Sequence, residues 1–114
     1  MSVTIGLPMT DTAQESRYFV ARLIGPRPTF PMDITAEERE LMGAHGQYWR
    51  AKQAEGKMVV FGPVLDPKGV WGLGVMRVRD EAEALALQAD DPVIVAKRGF
   101  SYELLPMMTA VVEA

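Results

Sequence analysis

No cysteine occurs in the 114 residues, which excludes disulfides, thiolate metal sites and a cysteine nucleophile together. Histidine occurs once, so a zinc site would have to draw the rest of its shell from carboxylates, an uncommon arrangement. No metal and no other cofactor is expected. The 12 basic residues form no run, and the net charge of −3 runs against a phosphate-binding surface. Nucleic acid is therefore not an expected partner. No apolar stretch approaches the ~18 residues of a membrane-spanning helix, so no membrane association is expected. Nor does a basic segment lead into an apolar core at the N-terminus, as a signal peptide would require. P-loop, dinucleotide fingerprint and nucleophile elbow are missing as well. What is left is a soluble, cytoplasmic domain whose 48% hydrophobic composition is enough for one core. It has one imidazole to account for.

That imidazole, His45, lies in ITAEERELMGAHGQYWRAKQAEGK, residues 34–57. Wound as an α-helix at about 100° per residue, Leu41, Ala44, His45, Tyr48 and Trp49 share one face. Arg39, Glu40, Gln47 and Arg50 take the opposite one. Thr35 and Glu38 have capping-box spacing, Glu37 and Glu38 suit the positive end of the helix dipole, and Gly56 ends the helix. Gly43 and Gly46 bracket His45 at a cost of about 1 kcal/mol each relative to alanine. Close approach by another backbone or a ligand would explain them, and so would ordinary tolerance. The imidazole points inward between an aliphatic and two aromatic side chains. That position suits a core residue or a chemical group.

Residues 1–16 mix Gly, Pro, Thr and Ser and read as a loose arm with a short extended piece at Val3–Gly6. RYFVARLI, 17–24, is a strand with Phe19, Ala21 and Leu23 on one face and Tyr18, Val20, Arg22 and Ile24 on the other. GPRPTFPMD follows as a proline-stiffened loop, on which Phe30 either roofs a pocket or plugs the edge of the core. Lys57–Val64 and Val70–Val78 form a hairpin through a type I turn at Asp66-Pro67-Lys68-Gly69. Gly72 and Gly74 leave one strip of its second strand bare. Asp80–Ala89 is a second helix, capped by Asp80 with Glu83 and packing through Ala82, Leu85, Ala86 and Ala89. Asp91, before Pro92, interrupts it and reads as the cap of a further turn. Phe100–Pro106 is the last strand, and the apolar tail 107–114 is expected to touch a partner subunit.

This order predicts an α+β domain over residues 17–106, the ferredoxin-like βαββαβ plait, with an antiparallel four-stranded sheet and two helices on one face. The other face, with Val20, Ile24 and the glycine-bared strand, would be apolar and open, so a homodimer is expected. The first and last strands are neighbours in that plait, where Arg22 and Glu103 would pair. An RNA-recognition motif shares the topology but needs strand aromatics among basic residues, which MVVFGPV and VWGLGVMRV lack. The first helix and the Asp91 loop cover the same sheet face, so a hydrogen bond from His45 to Asp91 is allowed. On the residues alone, a satisfied core or interface histidine and a helix cap account for His45 and Asp91 more readily than chemistry does.

His45 on its helix, FGPVLDPKG, DEAEALAL and DPVIVAKRGFSYELLP, in that order and spacing, resemble the YCII-related family over about Tyr18–Pro106. The resemblance implies a ferredoxin-like plait that dimerises as an α+β barrel. It also implies a shared helix histidine and a pre-proline aspartate proposed as an acid–base pair, matching His45 and Asp91. With that match the expected catalytic pair is His45 and Asp91, and Phe30, Tyr48, Trp49 and Arg22 are expected to contact a small-molecule substrate. Most members of that family have no assigned reaction, and one of the few with a known activity is a dehydrochlorinase of chlorinated aromatic degradation. The expected activity is proton abstraction by neutral His45 from a phenol, enol or carbon acid, with elimination or isomerisation: a cofactor-independent lyase or isomerase. A non-catalytic ligand-binding or accessory protein using the cleft of the barrel and a cofactor-free oxygenase remain alternatives.

Overall fold

The computed structural model of the protein describes residues 16–113, so the expected N-terminal arm with its piece at Val3–Gly6 lies outside them, Ser16 excepted. β1 (Arg17–Ile24) is followed by α1 (Ala36–Ala54), β2 (Met58–Val64), β3 (Trp71–Val78), α2 (Glu81–Ala89), α3 (Pro92–Val95) and β4 (Ser101–Pro106). The strands form one antiparallel sheet in the order β2-β3-β1-β4, consistent with the ferredoxin-like plait. The class is α+β. No helix among the described residues is long and apolar enough to cross a membrane.

Strand alternation sets the faces. Phe19, Ala21 and Leu23 of β1 are buried beneath the helices, and the first two join Trp49, Met58, Met76, Val78, Ala84 and Leu87 in one core cluster. A second cluster, Leu23, Phe30, Val93 and Phe100, closes the end nearest the proline-rich loop. Register pairs Arg22 with Glu103 on the uncovered face, where Arg22 Nη1 lies 3.7 Å from Glu103 Oε1 and the guanidinium stacks 4.3 Å from the Trp71 ring centroid.

Local chemistry explains the helix ends. Thr35 caps α1 with both bonds of the capping box, Glu38 N–H to Thr35 Oγ1 and Thr35 N–H to Glu38 Oε1. Gly56, at φ +83°, ends it in the left-handed region that favours glycine. The Asp66 turn closes with Gly69 N–H on the Asp66 carbonyl at 2.9 Å, while the Asp66 carboxylate takes Lys68 N–H and Trp71 Nε1–H.

Two expectations about faces are corrected. α2 turns Ala84, Leu87 and Gln88 inward and leaves Ala82, Leu85, Ala86 and Ala89 exposed. The inward stripe continues to Asp91, and its two polar members disguise it against the more apolar stripe beside it. Gly72 and Gly74 face the helices and not the open side, because register sets them opposite Leu23 and Ala21. A Cβ at Gly72 would stand 3.2 Å from that of Leu23, and one at Gly74 3.0 Å from the Met58 methyl.

Candidate functional site

Asp91 is fully buried, and its position follows from the backbone. Preceding Pro92, it adopts the extended conformation (φ −62°, ψ 129°) and caps α3, with Oδ1 accepting from Val93 N–H at 3.1 Å. That leaves Oδ2 directed at α1 and β4. It accepts from Trp49 Nε1–H at 2.8 Å and from the Tyr102 hydroxyl at 2.6 Å, and it meets His45 Nδ1 at 2.8 Å. Trp49 Nε1 also stands 3.1 Å from the Tyr102 oxygen. His45 and Trp49 are one turn apart on α1, which brings both rings to one carboxylate.

A carboxylate without partners at this depth would cost several kcal/mol. Burial pushes the Asp91 carboxyl up, but the hydrogen bond and charge of His45, with those of Tyr102 and Trp49, hold it below the usual carboxylate range. An ionised carboxylate only accepts, so His45 Nδ1 carries a proton. In the neutral ring the free lone pair is then on Nε2. Burial, with the neighbouring Asp91 charge, drives the Tyr102 phenol far above its ordinary range, so it stays a donor.

His45 lines a cleft of about 650 Å³ between α1 and the sheet. Its floor is the strip left bare by Gly72 and Gly74, its far wall is Phe61 and Pro63 of β2, and Phe30 closes one end. Phe30 is held edge-to-face on Phe100 at 5.2 Å and lies so close to Gly25 that a Cβ there would stand 2.6 Å from its ring. The loop that carries it is locked by Arg27. That guanidinium donates to both carboxylate oxygens of Glu38, at 2.7 and 2.8 Å, and to Asp33. The same hydrogen bonds lower the Glu38 carboxyl to about 2.

Of the expected site residues, His45, Asp91 and Trp49 are brought together, and Phe30 lines the same cleft. Tyr48 turns away, donating to the Leu87 carbonyl at 2.6 Å and stacking edge-on against Trp49 at 4.9 Å. Burial, then the charges of Asp90 and Asp91, pushes its phenol up to about 12. Arg22 lies on the other face of the sheet. Sequence reasoning missed Tyr102, whose alternation with Leu104 in β4 gives its face but not its partner. It also missed Arg50, assigned to the outer face of α1, which lines the cleft. Among the described residues no group of three or more His, Cys, Asp or Glu side chains is arranged to hold a metal ion.

In the comparisons, no curated protein matches the chain in sequence. Among solved structures it is similar to the NE2512 protein of unknown function from Nitrosomonas europaea. The identity is 14% and the TM-score 0.50, with 88% of this chain and 97% of that one covered. At that identity the likeness concerns the fold alone. The model of the YCII-related domain matches residues 18–108, a span that contains His45, Asp91 and every strand but the first residue of β1. The chain belongs to the YCII-related domain family.

Proposed function

We propose that the protein binds a small, largely apolar molecule in the cleft beneath α1 and removes a proton from it with His45, leading to elimination or isomerisation. The observation that carries the reading is the 2.8 Å contact of His45 Nδ1 with a buried, ionised Asp91. Asp91 fixes the tautomer that leaves Nε2 as the acceptor, and it stabilises the imidazolium once the proton has moved. Trp49 and Tyr102 hold the carboxylate still, so that little rearrangement accompanies the transfer. Phe30 and Trp49 would flank a flat substrate.

The same reading includes a homodimer closed across the uncovered sheet face as an α+β barrel. Val20, Leu73, Val75 and Leu105 alternate onto that face, and Met108 and Val111 of the tail are fully exposed. Native mass spectrometry at micromolar concentration tests it, and a monomer there would rule the barrel out.

Chemistry is tested by proton exchange. Chlorinated hydroquinones, enols and lactones are incubated in D₂O with the protein and followed by proton NMR. Exchange or elimination is expected from the wild type, reduced about 10²–10⁴-fold in His45→Gln. A turnover rate that His45→Gln leaves unchanged would end the proposal. A ligand bound equally by His45→Asn and never altered would instead favour a non-catalytic binding protein.

A further inference from the structure

None of the side chains lining the cleft is acidic, although the chain as a whole is, at −3. Asp91, the nearest carboxylate behind the wall, is spent on four donors. The polar groups that α1 does present are His45, Arg50 and Gln53. Arg27, Arg98 and Arg22 are engaged by Glu38, Glu37 and Glu103, and of the arginines without a side-chain hydrogen bond or ion pair among the described residues (Arg17, Arg39 and Arg50) only Arg50 lines the cleft. Arg50 is exposed, and no such partner holds it among the described residues. Its guanidinium lies back along the helix, with Nη1 3.3 Å from where a Cβ on Gly46 would stand. The glycine beside the histidine thus leaves the space in which this cation rests at the cleft mouth.

We infer that the cleft takes an apolar carboxylic acid, its carboxylate on Arg50 and its hydrocarbon or aromatic body against Phe30, Phe61 and the glycine floor. The inference rests on the reading of this cleft as the ligand site served by His45. A guanidinium fork matches a carboxylate with two parallel hydrogen bonds, and a single arginine fits one negative charge better than a phosphate dianion. The two α-carbons of His45 and Arg50 are about 7.5 Å apart along the axis, and the folded-back guanidinium is nearer still. Both side chains line the one cleft, so an acid seated on Arg50 lies in the space that His45 also faces.

Calorimetric titration with benzoate, phenylacetate and 2-naphthoate, each beside its neutral primary amide, at pH 7 and low salt, tests the inference. At least one acid should bind about tenfold or more tightly than its amide. Arg50→Gln should weaken that acid about 10- to 100-fold and leave the amide unchanged. Arg50 is exposed, so this variant should fold as the wild type does, which circular dichroism checks. Equal affinity for acid and amide overturns the inference, as does an acid preference that survives Arg50→Gln, or no binding by any member of the series. The role of His45 is read separately. An acid preference alongside turnover indifferent to His45→Gln keeps the carboxylate site and removes the base, and His45-dependent turnover without the preference does the reverse.

Discussion

The Tyr102 hydroxyl donates to Asp91 Oδ2 across 2.6 Å, the shortest of the bonds that converge on that oxygen. Removing it leaves the His45 and Trp49 contacts in place. Tyr102→Phe is therefore expected to cost only about 1 kcal/mol in urea unfolding. Because the lost bond favoured the ionised form, the Asp91 pKa should rise, which a carbon-detected NMR titration of the side chain would record. A fall, or no movement, would contradict this account of the carboxylate.

Truncating Asp91 is a larger injury. Asp91→Ala strips the partner from His45, Trp49 and Tyr102 at once and removes the cap of α3. About 3–5 kcal/mol of stability should be lost. Asp91→Asn keeps one acceptor oxygen but sets an amide NH2 against either Val93 N–H or the donors on Oδ2, so it should lose less than the alanine variant while remaining below wild type. Denaturant midpoints at constant slope would give the order, and an alanine variant within about 1 kcal/mol of wild type would refute it.

Acid should probe the loop that carries Phe30. The Glu38 carboxyl lies at about 2 in the fold against an ordinary 4.5, lowered chiefly by its hydrogen bonds from Arg27. A depressed carboxyl stabilises the fold fully above the ordinary value, and that contribution disappears as pH falls from 4.5 toward 2. The melting temperature of the wild type should therefore exceed that of Arg27→Met at pH 6 and converge with it by pH 2. A gap that stays constant with pH would show that Arg27 acts through packing and not through this ion pair.

Gly43 tests whether anything needs to approach α1 beside His45. A Cβ there meets nothing within 4 Å. Gly43→Ala should raise stability by about 1 kcal/mol, the ordinary difference in helix propensity. A loss of stability, measured by thermal unfolding across a range of protein concentrations, would point to a neighbour outside the chain.

Features set by short-range chemistry were legible in the sequence. The capping box at Thr35 and Glu38, the turn at Asp66 and the pre-proline cap at Asp91 each need only three or four residues. The inward face of α1 and the faces of β1 followed from periodicity. What escaped depends on partners distant in sequence or on side chains longer than their helical position suggests. Arg27 sits in a loop without periodicity and finds Glu38 only when the chain folds. The inward stripe of α2 carries Gln88 and leads to Asp91, so counting apolar residues selects its neighbour. Arg50 starts on the outer side of α1 and reaches the cleft by lying over Gly46, which no helical projection displays. The glycine strip was visible, but its side of the sheet depended on the register with Ala21 and Leu23.

The two oxygens of Asp91 have separate employment, Oδ1 in capping α3 and Oδ2 in receiving the rings and the phenol. An aspartate here is therefore protected by folding as well as by chemistry. A lineage in which the proposed reaction was absent would still be selected to keep it. His45 caps nothing, and losing it vacates one of three donors on Oδ2. Across descendants of this fold, the histidine would be free to drift first. Its replacement beside an intact aspartate would mark a protein that kept the scaffold without the proposed proton transfer.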